Sequence, residues 1–287
     1  MLAAELGMDP VEFRIKNAAK KGTKASYGPV SGPIGIGPTL QAVKDHPHMK
    51  RRLGKNQGRG MACGFWFNFG GQTCTDLNVG VDGSVNLTVG TVDVGGSRAS
   101  LGLIAAEELG IDYDQVRVTI GDTNSLGHND TTEGSRGTFS SGMATIFAAR
   151  NAIEVLKQRA AATWEIPVDQ VVWEAGEARA KGKQNSNLPP LTLKEIAAKS
   201  PRTGGPIAGH NEVVADGAGV SFASHLVDVE VDPETGATRV LRYTVIQDAG
   251  KVLTYQLLQY AGWVESVAVI DEKQLKKHAQ QLMDVEV

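Results

Sequence analysis

Glycine occupies 34 of the 287 positions, roughly 12% against a usual ~7%, and this excess constrains the fold more than any other feature. Glycine gives up more backbone freedom on ordering than any other residue, so it is costly inside helices and strands and favoured at left-handed corners. A chain this rich in it is expected to be built from many short elements joined by tight turns. The glycines cluster at Gly70-Gly71, at Asp82-Gly83 and in two loops, Val94-Gly95-Gly96-Ser97-Arg98 and Glu133-Gly134-Ser135-Arg136-Gly137-Thr138-Phe139-Ser140-Ser141-Gly142. From Val252 onward a single one remains, Gly262.

The remaining composition excludes several classes. With 41% hydrophobic and 21% charged residues, the bulk of the chain can bury a core and is not disordered. A net charge of −3 leaves no basic field for nucleic acid or an anionic membrane, and neither partner is expected. No apolar run approaches the ~18 residues of a membrane span, and no secretory leader precedes the acidic first turns, so the chain reads as cytoplasmic. Two cysteines, Cys63 and Cys74, cannot build a disulfide framework or a four-ligand zinc set.

Periodicity places helices near Leu2 to Leu6, over residues 10 to 20, from about Thr39 to Met49, over Arg98 to Leu109 and from about Thr138 to Trp164. Period two marks strands at Met61 to Phe69, Thr73 to Val81 and Ser84 to Thr91, expected as an antiparallel meander. Further strands are expected over Gln115 to Ile120 and Val171 to Ala180. A hairpin is expected from Phe222 to Val231 and Ala237 to Gln247 about Asp232-Pro-Glu-Thr-Gly236, and Thr192-Leu-Lys-Glu195 has capping-box spacing. Ala105 to Arg117 is echoed at Ala161 to Val172 and faintly at Ala3 to Arg14, each a helix end and tight turn leading into the next element. The fold class is α+β, mixed sheets with packed helices. The divisions are residues 1–57, helices and linker, residues 58–251, an α+β region separable into 58–165 and 166–251, and an atypical tail over 252–287 that includes a polar helix pattern at Asp271 to Leu282.

Chemistry is sparse. The chain lacks a Gly-x-Ser-x-Gly elbow, His-Glu-x-x-His, Cys-x-x-Cys, a phosphate loop and Gly-x-Gly-x-x-Gly, which removes the common hydrolytic, thiol-redox and nucleotide signatures. His46 and His48 flank Pro47 in what reads as a solvated turn. His210 and His225 straddle a glycine-rich turn and could approach each other, and both cysteines read as small core residues in adjacent strands. The two glycine loops each open a helix, where free amides and the positive helix end favour an anion. The second adds hydroxyls and an arginine fork. Spacing alone reads equally well as two ordinary Gly/Ser helix caps.

At these loops the sequence resembles the molybdopterin-binding large subunit of the xanthine dehydrogenase and aldehyde oxidase family, the molybdenum hydroxylases. The resembling stretches are Glu5 to Asn17, Gly90 to Thr123, Glu133 to Ala144, and Asp228 to Gly236 with Gln247 to Gly250, in family order. The resemblance implies a molybdopterin-binding domain of the molybdenum hydroxylase type and a molybdenum-molybdopterin cofactor in cytosine dinucleotide form. It implies oxidation of aldehydes or N-heterocycles with water as the oxygen source, and electron transfer to an iron-sulfur subunit and an FAD subunit. It puts Gly95, Gly96 and Ser97 against the dinucleotide, Gly134 and Ser135 toward the molybdenum end, and Arg136 and Thr138 on the polar edge of the cofactor. Many relatives carry Gly-Gln-Gly where this chain has Gly95-Gly96-Ser97, so no glutamine contact is available there.

The family's upstream half and its late Gly-Glu segment, whose carboxylate is the base, are not matched, so no catalytic residue and no protein metal ligand are nominated. By resemblance the chain is incomplete at both ends. The readings are a partial large subunit inactive alone, a non-catalytic binding or assembly subunit completed by another chain such as a second large-subunit fragment, or a degraded α+β scaffold without ligand.

Overall fold

A computed structural model describes residues 2–26, 28, 30–32, 34–67, 69–215, 220–248 and 266–270. Along the chain run α1 (Leu2–Glu5), α2 (Pro10–Asn17), α3 (Ile36–Asp45), α4 (Pro47–Lys50), β1 (Gln57–Phe67), β2 (Gly71–Val79), β3 (Val85–Val89), α5 (Ser97–Leu109) and β4 (Val116–Ile120). Then follow α6 (Gly142–Trp164), β5 (Val171–Glu174), β6 (Glu177–Ala180), β7 (Leu191–Thr192), α7 (Leu193–Thr203), β8 (Ile207–Ala215), β9 (Val220–Val231), β10 (Thr238–Asp248) and β11 (Ser266–Ile270). The class is α+β, as the periodicity indicates. The polar helix pattern at Asp271 to Leu282 lies outside the described residues, whereas the tail contributes β11, a strand that periodicity did not indicate.

Local signals act where they stand. Asp9 accepts hydrogen bonds from the amides of Val11 and Glu12, and Pro10 opens α2. Thr192 and Glu195 close a reciprocal capping box at α7. The echoed phrases fold alike: α5 ends on Gly110 at φ 72° and α6 on Glu165 at φ 55°, and each is followed by one 3-10 turn that feeds a strand. Val171 to Ala180 is not one strand but the hairpin β5–β6, turned by Ala175 and Gly176 at positive φ.

The chain divides into two compact units, Asn68–Ala218 and Met1–Phe67 with Gly219–Val287. This division falls elsewhere than at residues 57/58, 165/166 and 251/252, because β1 pairs along its length with β9, from Gln57 opposite Glu230 to Phe67 opposite Val220. The expected meander is therefore corrected: β1 belongs to the sheet β1-β9-β10-β11, and β2 to the sheet β4-β3-β2-β8. A two-residue period reports a pleated strand but not its partner, and here the partner lies about 160 residues away in sequence.

In the first unit α3 covers β9 and β10, with Val43, Leu226 and Ile246 buried between them. The interior also holds polar groups. Asp228 is fully buried and receives Arg59 Nε at 2.7 Å, Arg59 Nη2 at 2.9 Å and Arg242 Nε at 3.1 Å. His48 Nε2 lies 3.1 Å from the same carboxylate, and His48 Nδ1 is 2.9 Å from Thr244 Oγ1. His46 and His48 are thus buried, 5% and 3% exposed, and the solvated-turn reading is wrong. His225 has its own partner, Tyr243 Oη at 3.0 Å.

In the second unit α5 and α6 pack on one face of the sheet around Leu77, Leu87, Leu101, Leu109, Leu156 and Ile207. The parallel pair β3–β4 is joined through α5, a β-α-β crossover. Cys74 is buried here, while Cys63 is exposed on β1 of the other sheet, so the cysteines are neither adjacent nor both in the core.

Candidate functional site

The β3-α5-β4 crossover decides where the first glycine loop lies: at the carboxyl end of β3, the edge at which open α/β sheets gather ligands. β2 runs antiparallel to β3, with Thr75 opposite Val89, so Gly70 and Gly71 lie at that same edge. β4 also ends there, and Gly121 N donates to Val89 O at 2.9 Å. The chain from β4 to α6 then returns along this edge, and Thr91 Oγ1 meets Thr132 Oγ1 at 3.0 Å. Both sequence-predicted loops are therefore brought to one end of one sheet.

Each loop carries the same backbone device, two successive residues in the left-handed region: Gly95 at φ 66° and Gly96 at 78°, and Gly134 at 52° and Ser135 at 59°. Successive residues of this kind turn amides into one concavity, a shape suited to anionic oxygen. At Gly95 and Gly96 no atom lies within 4 Å of where a Cβ would stand, and both are exposed. Gly134 differs, because a Cβ there would run into the Phe69 ring. Phe69 N donates to Gly134 O at 2.9 Å, so this glycine is demanded by the protein's own packing.

The other nominated residues separate into accessible and internal. Ser135 and Thr138 are exposed, and Thr138 lies in the π-helical turn Gly137–Ser141 that opens α6, an irregularity common at functional sites. Ser97 is buried, its hydroxyl donating to Val92 O at 3.1 Å. Arg136 is 2% exposed, and its guanidinium donates to Gly70 O at 2.8 Å, Asp130 O at 2.8 Å and Gln72 O at 2.5 Å. These bonds tie the second loop to the start of β2.

Periodicity did not reveal the residues that support this edge. Asn129 Oδ1 accepts from Thr73 Oγ1 at 2.6 Å and Cys74 N at 3.2 Å. Asp130 accepts from Gln72 N at 2.5 Å, and that bond and the nearby His128 hold its carboxyl below the usual range. At the first loop Asp93 accepts from Arg98 N at 3.1 Å and Arg98 Nε at 2.7 Å, which lowers its carboxyl in the same way. The start of α5 thus already has a carboxylate, so a bound anion would rely on the Gly95–Gly96 turn rather than on the helix end. Among the described residues no group of three or more His, Cys, Asp or Glu side chains could hold a metal ion.

Arg136→Met should destabilise the chain by about 2–5 kcal/mol, because three carbonyls lose a charged donor at once in a buried position. Urea denaturation of the two proteins checks this, and an unchanged midpoint would show that the guanidinium is dispensable.

Residues 39–260 match the family model described as a molybdopterin cofactor-binding domain. A probable xanthine dehydrogenase subunit of Bacillus subtilis is 28% identical over 94% of this chain and 37% of its own length. The "Carbon monoxide dehydrogenase large chain" of Hydrogenophaga pseudoflava is 27% identical over 98% of this chain and 39% of its own. The chain therefore spans under two fifths of these curated relatives. Among solved structures, a Cu,Mo carbon monoxide dehydrogenase superposes with a TM-score of 0.78 at 22% identity, over 90% of this chain and 37% of that one. Quinoline 2-oxidoreductase of Pseudomonas putida 86 does so with a TM-score of 0.71 at 19% identity, over 90% and 37%. At such identities these two likenesses speak for the fold alone. No described helix is long and apolar enough to cross a membrane.

Proposed function

The chain belongs to the molybdopterin cofactor-binding family of molybdenum hydroxylase large subunits, and on that premise we propose that it forms one wall of the cofactor site of a multi-subunit oxidoreductase. The observation that carries the reading is the convergence of two left-handed turns on one sheet edge, with open space beside Gly95 and Gly96. When bound, the cofactor supplies two-electron oxidation of an aldehyde or N-heterocycle, with water as the oxygen source. The chain's own residues bind and orient. The Gly95 and Gly96 turn takes the dinucleotide, of cytosine type, while Gly134, Ser135 and Thr138 face the pterin end. Ser97 and Arg136 act behind them, holding the first turn to Val92 and the second to Gly70, Asp130 and Gln72.

The two carboxylates that brace these loops are poorly suited to act as a general base. Asp93 and Asp130 are both engaged by hydrogen bonds that favour their ionised forms, and a carboxylate so held is a poor proton acceptor. The base and the substrate pocket belong to parts of a large subunit outside the stretch matched here, and the electron path to iron-sulfur and FAD subunits. On this reading the chain is part of a large subunit, supplies a binding wall and is inactive by itself. Co-expression with the part of the Bacillus subtilis relative that lies outside its match tests this. The purified complex is expected to hold molybdenum and pterin in near-equal amounts, and a complex containing neither overturns the reading.

A further inference from the structure

Between the sheet of the second unit and α6 lies a short polar layer inside an otherwise apolar interior. Thr75 on β2 is fully buried, and its Oγ1 has no hydrogen-bond partner among the described residues. Asn211 on β8 stands directly opposite Thr75 in the antiparallel pair, and its Oδ1 is also sealed from solvent and without a partner among the described residues. Side chains directly opposite across such a pair point to the same face, so the two oxygens share one side of the sheet. The large majority of buried side-chain polar atoms are bonded, and two orphaned oxygens side by side call for a common cause. A hydroxyl that can donate faces an amide oxygen that can accept, yet they do not bond each other, which is the arrangement of two groups bridged by a third.

The face they share is the one that α6 covers. At one end Ser141 Oγ, in the turn that opens α6, is 3.4 Å from Thr73 Oγ1. At the other end Gly209 stands opposite Leu77, and a Cβ there would overlap Ala148 O and Ala152 N. Thr73, Thr75 and Leu77 alternate onto one face of β2, so α6 passes Thr75 and Asn211 between its residues 141 and 148. Thr145 is fully buried and lies about one helical turn from each of these positions. Its hydroxyl donates to Ser141 O at 2.7 Å, which leaves its oxygen able to accept.

We infer that this layer is the binding site of one internal water molecule, held by Thr75 Oγ1 and Asn211 Oδ1 and reaching Thr145 Oγ1 on α6. The donor count closes. The two water hydrogens go to Asn211 Oδ1 and Thr145 Oγ1, and a water lone pair takes the Thr75 hydroxyl hydrogen. About three bonds is the usual number for a buried water. The three oxygens carry no formal charge, which favours a neutral ligand over a divalent cation. The water ties β2 and β8 to the helix whose opening turn, Gly137–Ser141, carries part of the second loop. The inference stands apart from the cofactor reading, because it uses only the orphaned oxygens and the path of α6.

A high-resolution crystal structure of the full chain is expected to show one ordered solvent peak ~2.7–3.2 Å from both Thr75 Oγ1 and Asn211 Oδ1. A direct bond between the two side chains, or an empty space between them, overturns the inference. So does a peak at ~2.0–2.6 Å from three or more oxygens, which is a metal ion instead. A double-mutant cycle with Thr75→Val and Asn211→Leu, followed by urea denaturation, reads the same bridge in solution. Each single change leaves the other oxygen and the water short of a partner, whereas the double change removes both orphans together. The double variant is therefore expected to lose about fivefold less in folding equilibrium constant than the product of the two single losses. Strictly multiplicative losses overturn the inference, and the wild-type crystal structure decides it by itself should a variant fail to fold.

Discussion

Gly134→Val is expected to abolish molybdenum retention in the assembled complex and to lower the thermal midpoint of the chain by ~4–12 °C. The second figure follows from holding a β-branched residue at φ 52°, a cost of about 2–3 kcal/mol, at ~2–4 °C per kcal/mol for a chain of this size. The new side chain also meets Phe69, whose amide is bonded to Gly134 O, so the loop must move or the ring must leave. Gly134→Ala in a Phe69→Ala background relieves the overlap but not the backbone strain, and should recover part of the stability. Gly95→Ala is the informative contrast. Its Cβ enters open space, so it should cost only about 1 kcal/mol and still reduce molybdenum content if that space belongs to the cofactor. Undiminished molybdenum in folded Gly134→Val protein would remove the second loop from the site.

Asp228→Ala is expected to cost about 3–5 kcal/mol, because it leaves Arg59 and Arg242 without their shared counter-charge and His48 without its carboxylate partner. The same cluster predicts an acid limb. Burial would push the Asp228 carboxyl up, but hydrogen bonds from Arg59 and Arg242 and the nearby His48 outweigh it and bring it down to about 2. A depressed carboxylate stabilises the folded chain fully above its unfolded value near 3.8 and loses that contribution as pH falls through about 2. His48 and His225 are held below the ordinary histidine value, first of all by burial. The unfolded chain therefore takes up protons first, and stability declines once pH falls below ~6.5. His210 opposes this, because Asp76 raises it, and its contribution is present below ~6.5 and lost as pH rises. It is half exposed, so buried His48 and partly buried His225 dominate. Urea midpoints measured from pH 8 to pH 3 should fall in the wild type and change much less in Asp228→Ala below pH 5; parallel curves would show that the cluster does not set the acid limb.

Much of the candidate site was legible as local chemistry. Gly95-Gly96 and Gly134-Ser135 stood out because left-handed turns before helices need these residue types, and the structure puts both at positive φ. What was not legible is how they are held. Arg136 in a loop of hydroxyls and glycines reads as a ligand-binding fork, yet its donors go to carbonyls near residues 70, 72 and 130. Asn129, Asp130 and Phe69 carry no motif at all; a strand start some sixty residues upstream gives the first two their roles, and Gly134 gives Phe69 its own. His46 and His48 misled for the same reason. Beside a proline among polar neighbours they look solvated, yet both are buried, His48 because Asp228 and Thr244 await it on β9 and β10.

The sequence by itself determined the turns, caps and helix ends of this protein, down to the shared junctions after Leu109 and Trp164, because each of these is decided by interactions within a few residues. It also determined that two glycine loops would open helices and be free to take unusual backbone shapes. The tertiary structure alone decided that β1 leaves β2 to pair with β9, that the two loops meet at one sheet edge, and that an aspartate and two arginines would share the interior of one unit. Those outcomes depend on which distant strands share a register and a buried face, a choice that is made by summed packing and pairing across the chain and leaves no mark in the short-range pattern.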